Sequence, residues 1–550
     1  LYENYQEIGI FGNQILNNIG NNIKCGNTLV STDITSKYPH IVSDQEQLFR
    51  TNAFDYNSPD GFSKIFNAKG GFDYIVGNPP YVEVKNYNAE YPVMHQYIKD
   101  EYITTKNGKI DLAVAFIERA ISILNDSGKL GLIVQRRFFK TDYGKKIREY
   151  ISSTNLLSQV IEFESSKIFP NRVTYIATLI LDKSKPANIS FLKVNSEIEE
   201  IPHTLRSIKP VENDKTNFSI MPSSGLNQNP WNFEDADLLA IKSGLLLNHG
   251  KFGDFAKVRV GIQVLWDRAY HIKITSINAN GTLTGSTHLE DDIILEIDAC
   301  RPLMVNEKFY PFCSDETNTY VIFPYNVDSG QSESIPFNIF KSMYPLAGEY
   351  LEKHRDTICS NVETFDGENW HLFTRANNHQ RVDPKILLPM TADDTFATIT
   401  QNSLNYCDNA NMFFIDVPDK SENSLYAVAS IINSTLFSVL ARSIALSQQN
   451  GYFKFNKQFI EPIPFPKNNF NANSELINEI ASLAIDIKDA QEKYRSSSPR
   501  QKNAFKTILN TYWTKLDEKV YHLYDLTDEQ ISFFNDKGRN VNRLDILDRI

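Results

Sequence analysis

Little in this 550-residue chain suits disulfide or metal chemistry. Its five cysteines (Cys25, Cys300, Cys313, Cys359 and Cys407) are scattered, odd in number and never form a C-x-x-C pair. That spacing argues against a disulfide framework or a zinc site and fits a reducing, cytoplasmic setting. The ten histidines include no H-E-x-x-H, so no metal centre is expected. Hydrophobic runs are short. None approaches the roughly 20 residues a helix needs to span a bilayer, and no secretory signal pattern opens the chain, so no membrane partner is expected. Positive charge is also scarce, with a net charge of −11. Dedicated nucleic-acid binders are usually basic, so any such role has to rest on local patches.

What is present is enough apolar material, 41% of residues, to build more than one core. From residue 70 to about 182 strand and helix patterns alternate. "FDYIV" (72–76) reads as a short, buried-looking strand, and "DLAVAFIERAISILNDSG" (111–128) as a helix closed by Gly128. "KLGLIV" (129–134), "LLSQVIEF" (156–163) and "VTYIATLIL" (173–181) read as strands, with a helix at "DYGKKIREYI" (142–151). This order predicts an α/β fold with a mainly parallel, doubly wound sheet over residues 1–185. Residues 186–244 read as a junction and 245–467 as a mixed α/β domain without βαβ rhythm. Residues 468–550 form a helical segment: two amphipathic helices flank "SSSPR" (496–500), and Thr527 to Gln530 fit a capping box.

One loop carries chemistry. After the 72–76 strand come Gly77, Asn78, Pro79, Pro80 and Tyr81. The prolines have no N–H for a ladder, so they end the strand and stiffen a loop at its carboxyl end, where open α/β sheets bind ligands. Such a loop suits activation of a poor amine nucleophile, such as the exocyclic amine of adenine. The Asn78 side-chain carbonyl and the Pro79 backbone carbonyl are two acceptors for an NH2 group, and Tyr81 offers a flat face for a planar base. A dense basic segment lies downstream: residues 129–148 hold seven Lys/Arg against one Asp, among them Arg136, Arg137 and Lys140. They are candidates for holding DNA phosphates.

The segment "GGFDYIVGNPPYVEV" resembles the catalytic motif of S-adenosylmethionine-dependent amino-methyltransferases, above all adenine-N6 DNA methyltransferases. Segments that follow, "GKIDLAVAFIERAISIL", "GKLGLIVQRRFFKTDYGKKIREYI" and "IFPNRVTYIATLIL", resemble the later parts of that domain in the same order. The resemblance implies S-adenosylmethionine as cofactor and a flipped adenine in double-stranded DNA as substrate. It also implies that Tyr81 and Phe169 sandwich the base, which helps offset the few kcal/mol that extrusion costs. "IKCGNTLV" (23–30) resembles the cofactor-adenine motif of the bifunctional type IIG restriction–modification branch, which implies a cofactor contact for Asn27. The 245–467 region is similar to a TaqI-like target-recognition domain through "VRVGIQV", "YVIFPYN", "RVDPKILLP", "IINSTL" and "GYFKFNKQFIEPIPFP". Within it Lys257, Arg259, Arg375, Arg381 and Lys454 are candidates for phosphate contact or base readout.

The resemblance also implies a glycine-rich cofactor loop before residue 23. Gly9, Gly12 and Gly20 are there, but no strand or acidic motif accompanies them. We therefore expect the chain, which begins at Leu1, to be the C-terminal part of a longer polypeptide carrying an upstream methyltransferase segment and possibly a nuclease. Pro59-Asp60 with Glu83-Val84-Lys85 mimics a nuclease metal motif, but its halves straddle the Asn78 loop and one segment would serve two sites. Two other readings compete: a methyltransferase acting on a glutamine amide or ribosomal RNA, and a non-catalytic DNA specificity module. The 220-residue region after the catalytic domain disfavours the former.

Overall fold

The computed structural model describes residues 22–81, 87–88, 90–106, 111–163, 176–194, 218–231, 233, 236–305, 309–314, 317–327, 332–362, 367–373, 385–400, 406–408, 411–448, 452–538 and 543. The chain divides into two compact units, residues 1–236 and 237–550.

The first unit is built on a six-stranded sheet. Its strands are β1 (Phe72–Gly77), β2 (Leu124–Gln135), β3 (Leu157–Phe163), β4 (Ile176–Asp182), β5 (Asn188–Val194) and β6 (Phe218–Pro222), ordered β1-β2-β4-β3-β5-β6. Pairs β1–β2 and β3–β5 are parallel, whereas β4 runs antiparallel to both β2 and β3, and β6 runs antiparallel to β5. The sheet is therefore mixed rather than mainly parallel. Hydrophobic periodicity reports which faces are covered, not strand direction, so the insertion of β4 left no mark in the pattern. Strands β5 and β6 fall in the stretch whose Pro- and Asn-rich composition suggested a junction; they extend this sheet.

Alternation along β2 buries Leu130, Leu132 and Val134, and β4 buries Ala177, Leu179 and Leu181. Each fully buried aliphatic side chain contributes about 1.5–3 kcal/mol. Helix α1 (Pro92–Glu101) buries Val93, Met94, Tyr97 and Ile98, and α2 (Leu112–Ser122) buries Ile117 and Ile121. Helix α2 opens on Asp111, whose carboxylate accepts the Ala113 N–H at 2.9 Å. It ends at Ser122, not at Gly128 as the spacing suggested. Phe72 N–H takes the Ile123 carbonyl at 2.9 Å, and Asn125 Nδ2 donates to Asp73 at 2.7 Å, so residues 123–125 are drawn into the sheet. Helix α3 (Lys145–Thr154) follows β2.

The second unit contains a six-stranded sheet and a four-stranded antiparallel sheet. The strands of the larger one are β8 (His271–Ile277), β9 (Thr282–Ser286), β10 (Ile293–Glu296), β11 (Cys300–Met304), β12 (Thr319–Ile322) and β15 (Tyr406–Cys407), ordered β10-β9-β8-β12-β11-β15. Those of the smaller are β7 (Lys257–Val260), β13 (Lys385–Pro389), β14 (Thr398–Thr400) and β16 (Met412–Asp416), ordered β14-β13-β16-β7. Helices α4 (Glu422–Ile432) and α5 (Thr435–Ile444) are buried in the core of this unit. The expected C-terminal pair is present as α6 (Ser474–Ser496) and α7 (Pro499–Leu523). Thr527 and Gln530 cap the last helix, α8 (Asp528–Lys537), reciprocally. Among the described residues no single helix is long and apolar enough to cross a membrane.

Candidate active site

Two glycines aim β1 at the site. The helix Ser63–Lys69 stops where Gly70 adopts φ +75°, and its N–H returns to the Phe66 carbonyl at 2.8 Å. At Gly71 a Cβ would fall 2.5 Å from the Ile123 carbonyl oxygen, so only glycine lets the chain enter the sheet so close to α2. Strand β1 then pairs with β2, Gly77 opposite Leu132, and gives way to the proline loop.

β1 is an edge strand, and among the described residues nothing pairs with its outer side. Tyr74 is 75% and Val76 86% exposed, so the expectation of a buried strand is corrected. An apolar triplet identifies a strand but cannot say what covers it.

In the loop Pro79 is buried, Pro80 and Tyr81 are half-buried and Asn78 is exposed. The Tyr81 ring leans on a cluster of Phe163, Ile176, Leu192 and Val194, and its hydroxyl donates to the Ile133 carbonyl at 3.2 Å. Burial pushes its pKa up to about 12, so the hydroxyl keeps its proton at neutral pH and remains a donor. The Asn78 carboxamide forms no hydrogen bond with any described residue. A rigid loop thus presents an uncommitted acceptor to solvent beside an anchored aromatic ring. Phe169 lies outside the described residues.

Asn27 sits in a tight turn on the same unit. Its Oδ1 accepts the Leu29 N–H at 3.0 Å, and its Nδ2 donates to Met94 Sδ at 3.5 Å. Its backbone N–H reaches the Asn52 carbonyl at 2.6 Å. Arg119 of α2 donates to the Thr28 carbonyl at 3.2 Å, the buried Tyr102 hydroxyl to the Leu29 carbonyl at 2.8 Å, and Thr28 Oγ1 and Tyr56 Oη share a hydrogen bond at 3.1 Å. None of these supporting residues was singled out from sequence. Each is a single polar contact made between segments distant in sequence, and no spacing rule marks it.

Residues 11–169 match the family profile described as Eco57I restriction-modification methylase. Over that segment the chain is similar to Eco57I-like restriction–modification methylases. The chain is 25% identical, over 96% of its length, to the type II restriction enzyme and methyltransferase RM.Eco57I of Escherichia coli, of which it covers 52%. It therefore spans about half the length of that relative. It is 22% identical to the type II methyltransferase M.BstVI of Geobacillus stearothermophilus, over 74% of this chain and 69% of that one. Among solved structures, the type IIL restriction–modification enzyme MmeI in complex with DNA superposes with a TM-score of 0.53 at 11% identity, covering 85% of this chain and 57% of that chain. That likeness is one of fold.

In the first unit, much of the basic stretch is turned inward. Arg148 is 2% exposed, and its guanidinium donates to the carbonyls of Phe138 (2.5 Å), Thr141 (2.7 Å) and Gln228 (3.0 Å). Burial lowers its pKa to about 10. Arg136 pairs with Glu162 at 2.8 Å, both largely covered, and Lys129 pairs with Asp182 at 2.9 Å. Arg137 and Lys140 lie on the short helix Arg137–Lys140, where they too have partners. The local excess of positive charge is thus largely committed within the fold.

In the second unit Lys257 and Arg259 are exposed on β7. Lys257 Nζ donates to the Gly253 carbonyl at 3.1 Å, and Arg259 pairs with Asp416 at 3.1 Å. Lys454 is half-buried on the short strand Phe453–Lys454. Arg375 and Arg381 lie outside the described residues, as do Glu83, Val84 and Lys85 of the nuclease-like pattern, and Gly9, Gly12 and Gly20. Asp60, its other half, is exposed in a turn. Among the described residues no group of three or more His, Cys, Asp or Glu side chains is placed to hold a metal ion.

Proposed function

We propose that this chain carries the catalytic loop and the target-recognition region of an adenine-N6 DNA methyltransferase of the type IIG restriction–modification kind. One observation carries the reading: Asn78, exposed and without a hydrogen-bond partner among the described residues, follows the end of β1, with Pro79 buried behind it and Tyr81 anchored on Ile133. In this reading an adenine turned out of duplex DNA rests against Tyr81 and, by resemblance, Phe169. Asn78 Oδ1 and the Pro79 carbonyl accept the two hydrogens of its N6 amine. Those bonds draw the nitrogen toward a pyramidal geometry and free its lone pair for attack, stabilisation that a preorganised site supplies without reorganising. S-adenosylmethionine, when bound, supplies the electrophilic methyl group.

The residues present fit only part of that cofactor. Asn27 keeps one amide hydrogen beyond the one given to Met94, available for the cofactor's adenine. Among the described residues nothing pairs with the outer edge of β1, and an upstream segment of the same polypeptide is the proposed source of the rest. The second unit is the proposed DNA-reading part, with Lys257, Arg259, Arg375, Arg381 and Lys454 its candidate contacts and Arg136, Arg137 and Lys140 candidates on the first unit.

The test uses the full gene product. Plasmid DNA from cells expressing it is mapped by single-molecule sequencing, and Asn78→Ala is compared in single turnovers. Methylated adenine at one sequence and a loss of at least ~100-fold in turnover, with DNA binding retained, are expected. Near-normal methylation by Asn78→Ala would sink the mechanism, and a modified base other than adenine would sink the specificity.

A further inference from the structure

Met94 lies on α1 with 4% of its surface exposed. Its sulfur accepts two hydrogen bonds, one from Asn27 Nδ2 at 3.5 Å and one from the Tyr87 hydroxyl at 3.7 Å. The two donors come from different parts of the proposed site. Asn27 belongs to the turn assigned to the cofactor, and Tyr87 lies nine residues beyond Asn78, on the chain that leaves the catalytic loop.

A thioether is a weak acceptor, so what this sulfur supplies is orientation. The torsion that sets an asparagine carboxamide is broad and roughly two-fold. In Asn27 the oxygen is held by the Leu29 N–H and one amide hydrogen by the sulfur, so the remaining hydrogen points in one direction. Tyr87 is similarly fixed. Its ring sits 5.1 Å from that of Tyr91, and burial raises its pKa to about 12, which keeps its hydroxyl a donor at neutral pH. An aliphatic side chain of the same size would fill the space and accept neither bond.

We propose that Met94 is a positioning residue whose sulfur sets the Asn27 carboxamide and Tyr87, which follows the catalytic loop in sequence, in a common register. Recognition of the cofactor's adenine and presentation of the amine acceptors are thereby linked through one buried atom. The proposal rests on the cofactor role given to Asn27.

The experiment uses the full gene product, with S-adenosylmethionine affinity read by calorimetry and methyl transfer read in single turnovers. Met94→Leu keeps the volume and removes the acceptor. It is expected to weaken cofactor affinity by about 2-fold to 5-fold, the lower end of what one buried hydrogen bond is worth, since a thioether accepts weakly. Asn27→Ala is expected to weaken it at least as much, and the double variant no further than Asn27→Ala alone, because Met94 acts through Asn27. Tyr87→Phe removes one hydroxyl only. It is expected to slow methyl transfer severalfold while cofactor affinity stays within about 2-fold, a split that general loosening of the fold would not produce. Protein labelled with selenomethionine, whose selenium still accepts, is expected to behave as wild type. Unchanged affinity in Met94→Leu beside a loss in Asn27→Ala overturns the role of Met94, as do additive effects in the double variant. Unchanged affinity in Asn27→Ala instead overturns the assignment of Asn27, and the proposal falls with it.

Discussion

Tyr81 gives the sharpest test of base extrusion, because its ring and its hydroxyl have separable jobs. The hydroxyl donates to the Ile133 carbonyl at 3.2 Å, a neutral bond worth about 0.5–1.5 kcal/mol. The half-buried ring leans on Phe163, Ile176, Leu192 and Val194 and leaves part of its surface for a base. Base–aromatic stacking is worth about 1–3 kcal/mol. Tyr81→Phe keeps the face and loses the anchor, so single-turnover methylation should fall by no more than ~10-fold. Tyr81→Ala loses both, and the extruded state should drop by a further ~5-fold to ~150-fold. With 2-aminopurine at the target position, wild type and Tyr81→Phe should brighten on binding, because extrusion relieves quenching by stacked neighbours, and Tyr81→Ala should brighten less. Equal damage by Phe and Ala would show that the hydroxyl, not the face, matters. A probe that stays dark at every position of the target would refute extrusion by this ring.

Two further predictions concern buried charge. Arg148→Met strips the donors from the Phe138, Thr141 and Gln228 carbonyls and should destabilise the first unit by at least ~2 kcal/mol in urea titration, since each buried carbonyl left unpaired costs about 1–3 kcal/mol; a loss below ~0.5 kcal/mol would leave the arginine a surface charge after all. Asp394 is 8% exposed, its Oδ2 has no partner among the described residues, and burial raises its pKa to about 6, against the opposing pull of Arg442 and Arg543. The folded state therefore holds a proton that the unfolded state, near 3.9, has released, so this group's contribution is present below pH ~4 and lost as pH rises through about 6. Asp394→Asn should gain about 1–3 kcal/mol over wild type at pH 7.5 and nothing at pH 4, and a melting-temperature difference that does not change with pH refutes it.

The parts of the fold that depend on local chemistry could be read in the sequence. Pro79 and Pro80 had to end β1, the apolar spacing of 112–121 had to make a helix, and Thr527 with Gln530 had to cap one. What depends on partners elsewhere in the chain could not. Helix α2 stops at Ser122 because Phe72 and Asp73, fifty residues earlier, claim residues 123 and 125. The basic charges of 129–148 look like one patch in linear order. A strand, a turn and a helix distribute them, and Glu162, Asp182 and backbone carbonyls take several. Asn27 was legible as a motif residue, whereas Met94, which accepts its amide, was one more apolar residue on a helix.

The outer edge of β1, unpaired among the described residues, bears directly on how the proposed cofactor would be held. A small ligand binds tightly when a concave pocket buries most of its area. Asn27 is held in a well-braced turn and the Asn78 loop is stiff, so the described part of the proposed site is preorganised. It is also one-sided. Tyr74 and Val76 are exposed on the strand that carries the loop, and an adjoining strand together with its connecting segment would cover them and wall the other side of a cleft. S-adenosylmethionine bound here would keep most of its surface wet. Residues 1–550 alone should therefore bind it more weakly than about 1 mM, which limits the interaction to ~4 kcal/mol. A polypeptide that carries the proposed upstream segment should bind it at least ~100-fold more tightly, and there Val76→Asp should reduce affinity, because a covered Val76 cannot accept a buried charge cheaply. In residues 1–550, where Val76 is exposed, the same substitution should be silent. Micromolar affinity in residues 1–550, measured by calorimetry, would mean that the existing turn and loop already enclose the cofactor and that the open edge has no part in binding it.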